Sequence, residues 1–231
     1  MKALVFNGPR DVRYESYSDP ELATDNSVIV KVERCSICGS DLHMYHGDSI
    51  GNANYSEGVE PFCVGHEFAG EVVEVGKAVY RHKVGQRVLA SGGAPCGRCK
   101  HCLSGHTALC DHWTAFGLSK GLNGGQAEFV NVPMADLTLQ PIPEGVSDEQ
   151  SILLTDAMCT AYFGLTRTNL QPGDAVAVVG LGPIGLIGVE LAFALGASAV
   201  YAIDPVANRR AHAAGLGAVA LEPSTALPMI M

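Results

Sequence analysis

The sequence is poor in positive charge: 15 Lys and Arg stand against 24 Asp and Glu, leaving a formal net charge of −9. That balance argues against a nucleic-acid or anionic-membrane partner, since both call for clustered basic side chains. Long apolar runs are also missing, and none approaches the length that spans a bilayer. At the N-terminus, MKALVFNGPRDV offers four apolar residues before polar and turn residues intervene, too few for the core of a signal peptide. The sequence therefore predicts a cytoplasmic protein. Charge of either sign is scarce at 17%, while 47% of residues are apolar, which suits a packed core rather than a disordered chain. The 231 residues suffice for one large domain or two ordinary ones.

Cysteine is not scarce. Eight cysteines in a reducing compartment point to metal binding or catalysis rather than disulfides, and four of them fall within residues 96–110. Up to about residue 140, short apolar or alternating runs (KALVF, SVIVKVE, FAGEVVEVG, QRVLA, AEFVNV) lie between Gly, Pro, Asn and Asp turns, the texture of a barrel-like β-domain. The Gly/Cys-rich stretch between Leu89 and Phe129 reads as an excursion from the sheet. From Ser147 the texture changes. Ser147 with Gln150 forms a capping-box pattern that opens a helical segment. PGDAVAVVG then leads into a strand of the kind buried on both faces, IGLIGVELAFALGA into a helix, and AVYAID into a second strand. Strand, helix and strand in this spacing make a βαβ unit. The closing STALPMIM carries no structural signature.

The strongest chemical signal is PCGRCKHCLSGHTALC. Cys96, Cys99, Cys102 and Cys110 follow C-x2-C-x2-C-x7-C, a spacing that lets four thiolates close around one tetrahedral zinc with no open position. Such a site staples a loop with too little apolar material to fold alone. An iron–sulfur cluster is the rival, but that pattern wants its fourth Cys after three residues, followed by Pro; here Asp111 follows Cys110. A second set is dispersed: Cys38 in CSICGSDLH, His66 in VGHE and Asp156 in LTDA. One Cys, one His and one carboxylate are a possible ligand set for a zinc with an open fourth position, although spacing alone does not join them. Cys35-x-x-Cys38 by itself also fits a redox pair or half of a zinc ribbon.

In VVGLGPIGLIG, Gly180, Gly182 and Gly185 form G-x-G-x-x-G between strand and helix, the setting that gives this motif meaning. The three glycines allow a tight turn, close approach of the backbone to a pyrophosphate, and close helix–strand packing. Pro183 suits the first helical turn, whose exposed N–H groups attract phosphate. Gly180, Gly182, Pro183, Ile184 and Gly185 are thus the expected cofactor contacts. Asp204, 19 residues after Gly185, is placed to bind ribose hydroxyls and to repel a 2′-phosphate, favouring NAD over NADP. Arg209 and Arg210 soften that preference.

Together these motifs resemble the zinc-containing alcohol dehydrogenases of the medium-chain dehydrogenase/reductase family, from Met1 to about Pro223. The resemblance implies a GroES-like β-barrel catalytic domain (1–150, with a structural-zinc lobe at about 92–113), followed by the start of a Rossmann doubly wound NAD-binding domain (151–231). It also joins Cys38, His66 and Asp156 into a catalytic zinc site beside the structural one, two zincs per chain. By the same matching Ser40 hydrogen-bonds the alcohol, His43 passes its proton outward, Asp41 orients the zinc-bound His66, and Glu67 lies behind the metal and assists ligand exchange. Cys35 falls where the family needs no ligand, and a thioredoxin-like pair would sit at a strand-to-helix start in a different fold. Cys35 then reads as a small strand residue, and Cys63 and Cys159 as packing residues. Family members form homodimers or homotetramers and continue beyond residue 231, so the resemblance implies a truncated dehydrogenase, active or reduced to a zinc-binding remnant. Zinc-free quinone reductases are a weaker match, having no need of the four lobe cysteines. Tyr45, His46 and Trp113 are pocket candidates without an assigned role, and the alcohol itself is not named by the sequence.

Overall fold

The computed structural model describes residues 1–49, 54–55, 60–118 and 121–230. The chain divides into two compact units, Met1–Thr155 and Asp156–Met231. Among the described residues no helix is long and apolar enough to cross a membrane.

The first unit opens with β1 (Lys2–Gly8), β2 (Asp11–Ser16) and β3 (Val28–Cys35), then helix α1 (Gly39–His46). Next come β4 (Phe62–Cys63), β5 (Phe68–Val75), β6 (Arg87–Ala90) and β7 (Gly93–Ala94). The lobe carries α2 (Lys100–Leu103) and a short 3-10 turn (Thr107–Leu109), and is closed by β8 (Thr114–Ala115). β9 (Phe129–Val132), α3 (Ala135–Thr138), β10 (Leu139–Pro141) and α4 (Asp148–Ser151) complete the unit. Five antiparallel strands run in the order β10-β6-β5-β3-β9, and a second sheet runs β2-β1-β4.

Alternation decides which side of each strand is buried. Val28 and Val30 of β3, Phe68 and Val72 of β5, Val88 of β6, and Val130 and Val132 of β9 form one core with Phe116, whose ring meets Phe68 edge to face at 5.1 Å. A smaller cluster of Phe6, Phe62, Tyr55 and Val64 includes Met44. Met44 is the only buried apolar side chain of α1, and it anchors the helix that carries Ser40, Asp41 and His43. The sequence pattern misses α1 because its N-cap is Cys38, outside the usual capping residues, and its apolar stripe is short.

The capping box at Ser147 is present: Gln150 N donates to Ser147 Oγ at 3.2 Å and Ser147 N to Gln150 Oε1 at 3.0 Å. The helical stretch after it is broken into pieces. α4 passes into a 3-10 turn (Ile152–Leu154), and the second unit begins at Asp156, whose φ of −147° and ψ of −68° interrupt the helix before α5 (Ala157–Arg167).

The second unit continues with β11 (Ala175–Val179), α6 (Pro183–Ala194), β12 (Ala199–Ile203), α7 (Ala207–Gly215), β13 (Val219–Leu221) and α8 (Pro223–Ile230). Its three strands are parallel in the order β11-β12-β13. Leu181, Val189, Ala192, Val200, Ala202 and Ala213 form its core. Three expectations need correction. β11 is not buried on both faces: Val176 and Val178 pack inward, but Ala175, Ala177 and Val179 are exposed, Val179 at 78%, because α6 covers only the face that carries Val176 and Val178. STALPMIM is helical, opened by Pro223 at the start of α8; Met231 lies outside the described residues. Cys159 is exposed on α5 rather than packed, whereas Cys63 is fully buried and its thiol is pushed up to about 12 by that burial.

Candidate functional site

The four lobe cysteines converge. Cys96 follows β7, Cys99 caps α2, Cys102 lies in α2, and Cys110 follows the 3-10 turn. Their sulfur atoms all lie within 4.8 Å of one another. A tetrahedron of Zn–S bonds near 2.3 Å has edges of about 3.8 Å, so the cradle suits one ion and leaves little room for a cluster of several. Main-chain N–H groups of Cys96 and His112 donate to Cys110 Sγ at 3.2 and 3.3 Å. The Cys99 thiol is lowered to about 6, first by main-chain donors at Cys102 and Asp111, while Cys102 rises to about 12 through desolvation and the neighbouring thiols. The Cys96 thiol is lowered too, first by a main-chain donor at Arg98, and a cation is what would let all four ionise together.

A second cluster forms where β3 and β5 part. Their antiparallel ladder ends at Cys35 opposite Phe68, so the residues after Cys35 run beside those before Phe68. Cys38 Sγ, a ring nitrogen of His66 and a carboxylate oxygen of Glu67 thereby lie within 4.8 Å of one another. Asp41 ties two of them together: its Oδ2 accepts the Cys38 N–H at 2.8 Å, and its Oδ1 lies 3.4 Å from His66 Nδ1. A carboxylate at Nδ1 favours the tautomer with its proton there, leaving the Nε2 lone pair for a metal. Ser40 Oγ stands 3.4 Å from that Nε2. The donor chemistry fits zinc. His43 is on the exposed last turn of α1, its Nδ1 3.2 Å from Asp48 Oδ2. Asp156 belongs to the second unit, where it caps α5 and its Oδ1 accepts from Thr160 Oγ1 at 2.8 Å. Cys35 closes β3 and Cys38 caps α1, so the C-x-x-C does occupy a strand-to-helix start. The sequence argument against a redox pair on that ground does not hold; the grouping of Cys38 with His66 and Glu67 is the better one. Trp113 packs on Gly93 at the base of the lobe, and Tyr45 meets His46 edge to face at 5.4 Å.

In the second unit the glycine turn has the geometry its motif predicts. Gly180 has φ +90°, Gly182 caps α6 with open space where a side chain would be, and Pro183 opens the helix with Ile184 beside it. A Cβ on Gly185 would come within 1.8 Å of the Gly180 carbonyl oxygen. Gly185→Ala is therefore expected to weaken dinucleotide binding about tenfold or more, the scale of the roughly 1–3 kcal/mol that overpacking costs. Fluorescence titration with the reduced dinucleotide measures it, and unchanged affinity would remove the turn from the binding site.

Asp204 has a task that its sequence position does not announce. It is 2% exposed, and its two oxygens accept the N–H groups of Leu181 at 2.8 Å and Val206 at 2.7 Å. These bonds, then Arg209 at 3.6 Å, hold its carboxyl below the usual range. Asp204 thus pins the glycine turn to the end of β12. Arg210 is turned onto the carbonyl oxygens of Asp204 and Pro205, at 2.7 and 2.8 Å, which leaves Arg209 as the more exposed of the two arginines.

Both the sequence and the fold have known relatives. The family profile of the alcohol dehydrogenase GroES-like domain matches residues 24–144. A medium-chain reductase/dehydrogenase of Acremonium sp is 39% identical, covering 100% of this chain and 79% of the relative. A probable zinc-binding alcohol dehydrogenase of Mycobacterium tuberculosis is 38% identical over 100% of this chain and 58% of its own length. Among solved structures, the alcohol dehydrogenase TADH from Thermus sp. ATN1 superposes with a TM-score of 0.91 at 36% identity, covering 100% of this chain and 65% of that one.

Proposed function

This chain belongs to the zinc-type alcohol dehydrogenases with a GroES-like domain, and from that premise we propose that it oxidises an alcohol to an aldehyde or ketone with hydride transfer to NAD. The observation that carries the reading is the grouping of Cys38, His66 and Glu67 with Asp41 behind them. In this reading Cys38, His66 and Asp156 hold one zinc, and Cys96, Cys99, Cys102 and Cys110 hold a second. Zinc bound at the first site supplies Lewis acidity that makes an alcohol proton easier to remove. Ser40 Oγ, beside His66 Nε2, takes the hydrogen bond from the alcohol and passes the proton toward His43. His43, exposed and faced by Asp48, releases it to water. Gly180, Gly182 and the first turn of α6 cradle the pyrophosphate. The carboxylate of Asp204 at the end of β12 disfavours a 2′-phosphate and so favours NAD, a preference that the exposed Arg209 softens.

The chain spans 58% of the mycobacterial relative and 65% of the Thermus enzyme. A second reading, a zinc-binding module without turnover, rests on the exposed face of β11. NADH formation by the zinc-loaded chain with primary, secondary and polyhydric alcohols separates the two. The proposal expects turnover with at least one class; a fully loaded chain that forms no NADH with any of them supports the module instead.

A further inference from the structure

The last pair of the β3–β5 ladder is Cys35 and Phe68, and one step beyond it stand Ser36 and Glu67. Ser36 N donates to the Glu67 carbonyl oxygen at 3.2 Å, continuing the ladder by one bond. Opposed residues of an antiparallel pair direct their side chains to the same face, and Ser36 Oγ hydrogen-bonds the Glu67 Oε2. Ser36 is fixed from behind as well, since its carbonyl oxygen accepts Gln126 Nε2 at 3.0 Å. Glu67 is buried, and a buried carboxylate takes its place according to what meets its charge.

Glu67 is also within reach of the metal position, with an oxygen inside 4.8 Å of both Cys38 Sγ and a ring nitrogen of His66. In the reading above Cys38, His66 and Asp156 already supply the three protein ligands of an open zinc, so Glu67 is one donor more than it needs. Four protein ligands make a closed, structural type of site, and three leave room for substrate. Something has to decide whether Glu67 counts among the ligands. We propose that Ser36 is the positioning residue that makes this choice, its hydroxyl holding the Glu67 carboxylate back so that the zinc of the Cys38–His66 site keeps an open position. The inference rests on the reading of that site as a zinc centre. It adds a residue to which the motif gives no role and whose importance follows from strand register.

The test compares zinc transfer to a chromogenic chelator from the wild-type chain, Ser36→Ala, Ser36→Thr and the double variant Ser36→Ala/Glu67→Gln. The visible spectrum of each cobalt-loaded chain is recorded beside it. Without the hydroxyl, Glu67 joins the ligands: Ser36→Ala releases that zinc about tenfold more slowly, at the scale on which groups behind a metal change its affinity. Its cobalt spectrum changes accordingly. Ser36→Thr keeps the hydroxyl and behaves as wild type, and the added Glu67→Gln abolishes the slow release. Wild-type release in Ser36→Ala overturns the role of Ser36, as does slow release in Ser36→Thr or its persistence in the double variant. A wild-type chain that holds only the lobe zinc overturns the site itself, an outcome distinct from two bound zincs with unaltered release.

Discussion

Cys99→Ser is expected to cost the chain one of two zincs and to unfold the lobe while the three larger sheets stay intact. The lobe has almost nothing else to hold it. α2 and the 3-10 turn bury no side chain, and their two leucines, Leu103 and Leu109, are 77% and 62% exposed. The β7–β8 pair beneath them is two residues long on each side. In such a segment the free energy of metal binding is the free energy of folding, on the order of 10 kcal/mol for a structural zinc at neutral pH. Main-chain donors at Cys102 and Asp111 favour the Cys99 thiolate, and its loss leaves three sulfur ligands for the ion. Limited proteolysis should cut the variant between β7 and β8 and spare the wild type, while metal analysis reports one zinc fewer. Retention of both zincs with a protected lobe would mean that the cysteines are not its staple.

Asp41→Asn should have the largest effect on the other site. Asp41 spends one oxygen on the Cys38 N–H and turns the other to His66 Nδ1, so one carboxylate sets both the start of α1 and the orientation of the imidazole. Asn can keep the first bond. Its amide N–H₂ would then face Nδ1 and favour the opposite tautomer, turning the lone pair away from Nε2. The expected result is about 10–100-fold weaker zinc binding at this site, the usual cost of losing a group that orients a metal-bound histidine. Competition with a chelator of known affinity measures it, and the lobe zinc provides the control within the same chain. Equal affinity in variant and wild type would show that His66 is not oriented through Asp41.

The lobe cysteines and the glycine turn were legible in the sequence because they depend on local spacing, whereas Cys38, His66 and Asp156 were joined only through the family resemblance. Cys96–Cys110 is a single excursion, and Gly180–Gly185 is a single turn. Much of what surrounds them depends on pairing between distant segments. The Ser36–Glu67 contact appears only once β3 and β5 are set in register, since 31 residues separate the two. α1 was hidden by its unusual cap, and β13 by having three residues. Asp204 stood at the expected end of a strand, but its bonds to Leu181 and Val206 depend on how the strand meets the turn. The apolar run of β11 suggested burial on both faces because hydropathy reports composition; α6 covers the face of Val176 and Val178 and leaves the other open.

The central claim is that one chain assembles two zinc centres of different kinds, a closed cysteine staple and an open Cys38–His66 site. Native mass spectrometry of the purified chain, with metal identity checked by elemental analysis, tests it directly. The account predicts two zincs per chain, falling to one in Cys99→Ser. One zinc in the wild type would contradict the open site, and iron with sulfide in place of zinc would contradict the staple as well.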